Sequence, residues 1–114
     1  MAATNINSKK AMKFSFLMSI SKIREFTNLS INSTLNQSYN RKYEIFIIND
    51  GLKISDFNYY IDKNFKKNKN YKFIKSYSNP KNLGLTKSLN IGLNFCSGNF
   101  IIRIDDDDIC KYKM

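Results

Sequence analysis

The chain has 114 residues, room for one domain, and 42% of them are apolar, so it can bury a core and is not a disordered segment. Nineteen basic against nine acidic side chains leave a formal charge of +10, which points to an anionic partner without choosing among nucleotide, polyphosphate, nucleic acid and membrane surface. The absence of histidine excludes histidine-based triads and histidine-ligated metals within the chain, and the absence of a GxxxxGK[ST] run excludes a P-loop.

The polar opening, MAATNINSKKAMK, lacks the apolar stretch of a signal peptide and reads as a loose tail over 1–12, ahead of one domain over 13–114. Lys13 to Ser19 (KFSFLMS) predicts a first strand, apolar enough to be buried on both faces. The apolar stretch Phe14 to Ile20 is far short of the roughly 20 residues a bilayer needs. Arg24 to Gln37 contains no Gly or Pro and carries a broken apolar face of Phe26, Ile31 and Leu35, which predicts a helix. Tyr43 to Asn49 (YEIFIIN) is the clearest strand, stopped by the Asn49-Asp50-Gly51 turn signal.

Ser55 to Asn64 predicts a short helix capped by Ser55 or Asp56, followed by a basic loop over Lys66 to Asn70. Tyr71 to Tyr77 alternates as a third strand, and Asn79-Pro80 with Gly84 marks the next loop. Leu85, Leu89, Leu93 and Cys96 recur at helical spacing up to Ser97-Gly98. Asn99 to Ile104 (NFIIRI) predicts a fourth strand that runs into Asp105, Asp106, Asp107 and Asp108. Cys96 and Cys110 form no CxxC pattern, which fits reduced thiols in a cytoplasmic protein.

A β-α-β-α-β-α-β order with right-handed crossovers predicts an α/β fold, a mostly parallel sheet with helices on both faces. Ligands of such sheets bind beyond the carboxyl ends of the strands, near the point where strand order reverses. Here those ends bring Ser19 and Ser21, Asn49 and Asp50, Tyr77 and Ser78, and the four aspartates. Two carboxylates about 5 Å apart at an effective dielectric of about 20 repel by roughly 3 kcal/mol, a penalty that a cation removes. Strand alternation sends Asp105 and Asp107 to one side and Asp106 and Asp108 to the other. That pattern fits a hard divalent ion, Mg²⁺ or Mn²⁺, bridging carboxylates to a diphosphate, and a solvated acidic loop capping a following helix is the alternative. A phosphatase-type DxD belongs on a first strand, whereas this one follows the fourth.

The pieces FSFLMSIS, STLNQSY, YEIFIINDG, NLGLTKSLNIGL and SGNFIIRIDDDDI, in this order over about Lys13 to Ile109, resemble the family-2 glycosyltransferases. The resemblance implies a GT-A fold, a nucleotide-diphosphate-sugar donor (most often a UDP-sugar), and a divalent metal, Mn²⁺ or Mg²⁺, at the DxD-type motif. It places Ser19 beside the nucleotide, Asp50 at the base, Asp105 and Asp106 at the nucleotide sugar, and Asp105 and Asp107 at the metal. Asp108 matches an extra acid that often follows. Lys87, near the start of the third helix, is a candidate phosphate contact.

Two departures stand out. Many family members have an arginine just before the asparagine matching Asn90, and this chain has Leu89 there. The chain also stops at Met114, whereas the family's catalytic base and acceptor pocket lie further on, so the base is expected beyond Met114. The function expected is the donor-binding half of an inverting glycosyltransferase of surface-glycan assembly, acting on a glycan or lipid-linked acceptor and inactive by itself. A catalytically inactive nucleotide-binding remnant is the alternative. A basic surface of Lys63, Lys66, Lys67, Lys69, Lys72 and Lys75 with Tyr71 and Phe73 interleaved would suit RNA, but the aspartates are out of place against phosphate backbone, so no nucleic acid is expected. The same lysines would suit peripheral contact with an anionic inner membrane.

Overall fold

The computed structural model describes residues 13–36 and 42–105. Within them run β1 (Lys13–Ile20), α1 (Thr27–Leu35), β2 (Lys42–Asn49), α2 (Ile54–Phe65), β3 (Ile74–Ser78), α3 (Leu85–Phe95) and β4 (Phe100–Arg103). The four strands form one parallel sheet in the order β3-β2-β1-β4. The first two crossovers step from β1 to β2 to β3, and the third carries the chain back past β1 to β4. Strand order therefore reverses between β1 and β4, as the α/β reading requires.

Strand alternation divides the core. Phe16, Met18 and Ile20 of β1 and Ile45 and Ile47 of β2 pack with Ile31 and Leu35 of α1 and Phe57, Ile61 and Phe65 of α2. Leu17, Phe46 and Ile48 point to the opposite face and meet Leu89 and Ile91 of α3. Two helices cover one face and one covers the other, so β1 and β2 are buried along most of their length and carry apolar residues on both faces.

Several boundaries and faces differ from the sequence expectation. The first helix begins at Thr27, not Arg24, and Phe26 is exposed. That helix instead buries Thr27, Ser30 and Thr34 with Ile31 and Leu35, because the Ser30 and Thr34 hydroxyls donate to the Phe26 and Ser30 carbonyls of the preceding turn. The α2 N-cap is Lys53 with no side-chain cap, so neither Ser55 nor Asp56 holds that place. Tyr71 to Phe73 form a 3₁₀ turn, and the third strand begins at Ile74. In α3 the leucine stripe is not the buried face: Leu85 is 50% and Leu93 47% exposed, while Ser88 and Gly92 are buried. A Cβ at Gly92 would lie 2.4 Å from Leu17 Cδ1, so small residues set how closely α3 approaches the sheet.

At the amino ends of the strands, Glu44 is buried and ties three segments together. Its Oε2 accepts from the Ser15 hydroxyl (2.6 Å), the Ser97 N–H (2.7 Å) and the Ser97 hydroxyl (3.1 Å), and Lys13 Nζ stands 3.5 Å from its Oε1. Gly98 N–H donates to Ser15 Oγ at 2.8 Å, and Lys13 and Asn99 bond reciprocally. This clip fixes where β4 starts beside β1. A methyl at Gly98 would sit 2.5 Å from Ser15 Oγ, 2.7 Å from Ser15 N and 2.9 Å from the Lys13 carbonyl. Because backbone cannot yield cheaply, Gly98→Ala is expected to destabilise the fold by about 1–3 kcal/mol. Urea unfolding should show a lower midpoint at unchanged slope, and an unaltered midpoint would refute the clip.

Candidate functional site

Where strand order reverses, the carboxyl ends of β1 and β4 part and leave a cleft of about 330 Å³. Ser19, Ser21 and Arg24 line it from β1 and the loop after it, Asp50 from the end of β2, Leu85 and Leu89 from α3, and Arg103, Ile104 and Asp105 from β4. The backbone holds these ends in register: Asp50 N–H donates to the Ile20 carbonyl (2.8 Å) and Ile104 N–H to the Leu17 carbonyl (2.9 Å).

Asp50 is 2% exposed, and its carboxylate is surrounded by donors. Oδ1 accepts from Leu83 N–H (2.7 Å) and Asn79 Nδ2 (3.1 Å), and Oδ2 from Gly84 N–H (3.1 Å). Burial pushes the Asp50 carboxyl up, but the Leu83 N–H, the Asn79 amide, the Ser88 hydroxyl and the Gly84 N–H outweigh it, leaving its pKa below the ordinary value. The Asn79 amide also donates to Ser88 Oγ at 3.0 Å. Beside it, Asn49 closes the turn: its amide donates to the Leu52 carbonyl and its Oδ1 accepts from Leu52 N–H. Gly51 has φ 103°, the left-handed region that favours glycine, and a Cβ there would meet Asn82 N at 2.8 Å.

The structure brings Ser19, Asp50 and Asp105 to one cleft. Lys87 is exposed on α3 and does not line it, because Leu85 and Leu89 of the same helix are the residues turned that way. Asp106 and Asp107 lie outside the described residues, as do Asp108 and Cys110. Among the described residues no three Cys, Asp or Glu side chains converge as a metal cage. The cleft lining does supply hard oxygen ligands in Asp105, Ser19 and Ser21, the donor type that suits Mg²⁺ or Mn²⁺. The two arginines are the site's unforeseen members. Arg103 donates through Nη2 (3.0 Å) and Nε (3.2 Å) to Asp105 Oδ1, a pairing of the last residue of β4 with one just beyond the strand end.

A parallel α/β sheet of this kind takes its ligands in the crevice at the topological switch point. The model of glycosyl transferase family 2 matches residues 24–114, and the chain belongs to that family. It is 38% identical over 100 residues to the Escherichia coli UDP-Gal:alpha-D-GlcNAc-diphosphoundecaprenol beta-1,3-galactosyltransferase, covering 85% of this chain and 34% of that one. An uncharacterized glycosyltransferase of Haemophilus influenzae is 38% identical over 92 residues, covering 76% of this chain and 25% of the relative. The chain thus spans about a quarter to a third of the length of these relatives. Its fold matches S. aureus TarS 1-349 in complex with UDP-GlcNAc, with a TM-score of 0.70 at 22% identity over 86% of this chain and 27% of that chain.

The lowered pKa values of Asp50 and Glu44 have a definite sign. For Glu44 burial raises the pKa, and the Ser15 hydroxyl, Ser97 N–H, Lys13 charge and Ser97 hydroxyl together outweigh it. Since both folded-state values lie below the unfolded ones, the unfolded chain binds more protons on acidification. The stability these carboxylates contribute is present above their unfolded pKa and is lost as pH falls through the folded one. Asp50→Asn places an amide against N–H donors and is expected to cost about 1–3 kcal/mol near neutral pH. Its stability should also fall less steeply with acid than the parent's. An equally steep acid limb, followed by denaturant melts across pH, would count against this role.

Proposed function

We propose that the chain is the donor-binding part of an inverting glycosyltransferase that takes a nucleotide-diphosphate sugar, in particular a UDP-sugar. The observation that carries this reading is the cleft at the β1–β4 switch point in a family-2 chain, holding Ser19, Asp50 and Asp105 together. Support for the nucleotide comes from the relative that uses UDP-Gal and from the similarly folded TarS in complex with UDP-GlcNAc.

In this reading the nucleotide lies across the ends of β1 and β2, with Ser19 beside it. Asp50 shapes the base end of the site by holding residues 79–84 in place, its carboxylate being occupied by their donors. The sugar diphosphate points toward β4 and the Asp105 and Asp106 carboxylates. Mg²⁺ or Mn²⁺, held by Asp105 and Asp107, supplies neutralisation of the leaving diphosphate when bound. An acceptor hydroxyl attacks the anomeric carbon, a new C–O bond forms as the bond to the diphosphate breaks, and the diphosphate leaves with the electron pair. The hydroxyl proton passes to a base that none of the described residues is assigned to provide.

We place the protein in the cytoplasm, working on a surface-glycan acceptor, lipid-linked as for the Escherichia coli relative. No described helix is long and apolar enough to cross a membrane. Lys63, Lys66, Lys67, Lys69, Lys72 and Lys75 are exposed and offer an electrostatic route to an anionic surface. Vesicles containing phosphatidylglycerol should then pellet the chain, and the binding should fade with salt. Equal behaviour with neutral vesicles would remove the membrane contact.

Titrating UDP calorimetrically into the chain, with and without Mn²⁺, tests the donor site. Metal-enhanced binding that is lost in an Asp105→Ala/Asp107→Ala variant is expected. A folded chain that does not bind UDP would leave the family relationship intact and remove the donor-binding reading.

A further inference from the structure

The diphosphate of the proposed donor needs cations, and the described residues of the cleft offer them at two positions the family resemblance does not mark. Leu85 and Leu89 line the cleft from α3, so that wall of the site is uncharged. Lys87, the nearest basic residue on the same helix, lies off the cleft. Two other cations, Arg24 and Arg103, line it from separate elements.

We propose that Arg24 and Arg103 together form the diphosphate-binding subsite of this cleft, supplying the charge that its α3 wall lacks; the proposal rests on the donor reading above. Both residues are exposed yet anchored. Arg24 is fixed through its backbone: its N–H donates to Thr27 Oγ1 at 2.8 Å, and its carbonyl accepts from Thr27 N–H at 3.2 Å. Thr27 is itself fully buried, so the loop between β1 and α1 presents Arg24 from a rigid base. Arg103 is oriented by Asp105, which engages Nε and Nη2 through a single carboxylate oxygen. A guanidinium has further N–H donors in the same plane, free to take a phosphate oxygen without giving up Asp105.

The chemistry favours arginine in this role. A diphosphate brought beside Asp105 and Asp50 meets like charge, and Arg103 offsets Asp105 at a contact of 3.0 Å. Guanidinium groups bind phosphate oxygens through paired donors, whereas an ammonium acts as a point charge. Arg103 thereby links the acidic motif to the diphosphate, and Arg24 approaches from the β1 side.

The test compares UDP with uridine in EDTA, by ligand-observed NMR titration of the full chain. Variants are Arg24→Gln, Arg103→Gln, the double variant, and Lys87→Gln, each with a thermal melt to establish folding. The parent should prefer UDP to uridine, and the double variant should lose that preference by about tenfold or more while still binding uridine. Lys87→Gln should behave as the parent does. A folded double variant that keeps the full preference for UDP would overturn the arginine subsite and leave the donor reading standing, and so would loss of the preference in Lys87→Gln alone. A folded parent that binds neither ligand overturns both.

Discussion

The buried carboxylate of Asp50 is the constraint on which the cleft depends. A carboxylate removed from water is costly unless donors replace its hydration. Its donors come from Asn79 after β3, from the Leu83 and Gly84 backbone, and from Ser88 inside α3. Satisfying one charge therefore fixes the end of β2, the 79–84 loop and the first turn of α3 as a unit. The Asn79 amide cannot be turned over, because that would set its oxygen against the carboxylate, so Oδ1 is left buried without a protein partner. Leu85 and Leu89, the α3 wall of the cleft, stand where they do because α3 begins from this anchored loop.

The opposite end of the sheet carries a second buried carboxylate with a similar task. Glu44 gathers Ser15, Ser97 and Lys13, and through them the turn that starts β4. The two anchors act on the two chains that bound the switch point. Asp50 secures what lies beyond β2 and β3, and Glu44 secures β4 against β1. Small residues complete the arrangement: Gly92 lets α3 close on Leu17 and Gly98 lets the turn close on Ser15. The α3 wall of the cleft is thus fixed through Asp50 and its donors, and the β1–β4 pairing through Glu44 and its donors.

Much of the frame was legible in the chain's pattern, for identifiable reasons. YEIFIIN announces a doubly buried strand because its apolar run has no alternation, and NDG announces the turn after it. Alternating element types then fixed a parallel sheet, and the rule for such sheets pointed to the strand ends, of whose residues Ser19, Ser21, Asp50 and Asp105 line the cleft. Three kinds of feature were hidden. Burial of Ser30, Thr34, Ser88 and Gly92 runs against hydropathy, since backbone-bonded hydroxyls and close approach make those positions interior. The 3₁₀ turn at Tyr71 to Phe73 looks like strand because aromatic alternation is common to both. Arg24 and Arg103 were hidden for a third reason: in a chain of 19 basic residues an individual cation carries no signal until topology singles it out.

Topology singles out Arg103 in a particular way. Arg103 is the last residue of β4 and Asp105 follows just beyond the strand end, close enough for the guanidinium to engage its carboxylate. The ion pair that results is exposed, and pairs of that kind add little to stability. Stability is therefore a poor reason for the pairing, and position is a better one: β4 ends at the switch point, where any ligand of the cleft must pass. A guanidinium there offsets the first aspartate of an otherwise acidic strand end and still presents donors outward. On α3, Leu85 and Leu89 leave the wall apolar, and the cationic lining of the cleft comes from the end of β4 and the loop after β1. Arg103 and Asp105 are thus paired across the end of one strand, so whatever orders Asp105 also orders Arg103.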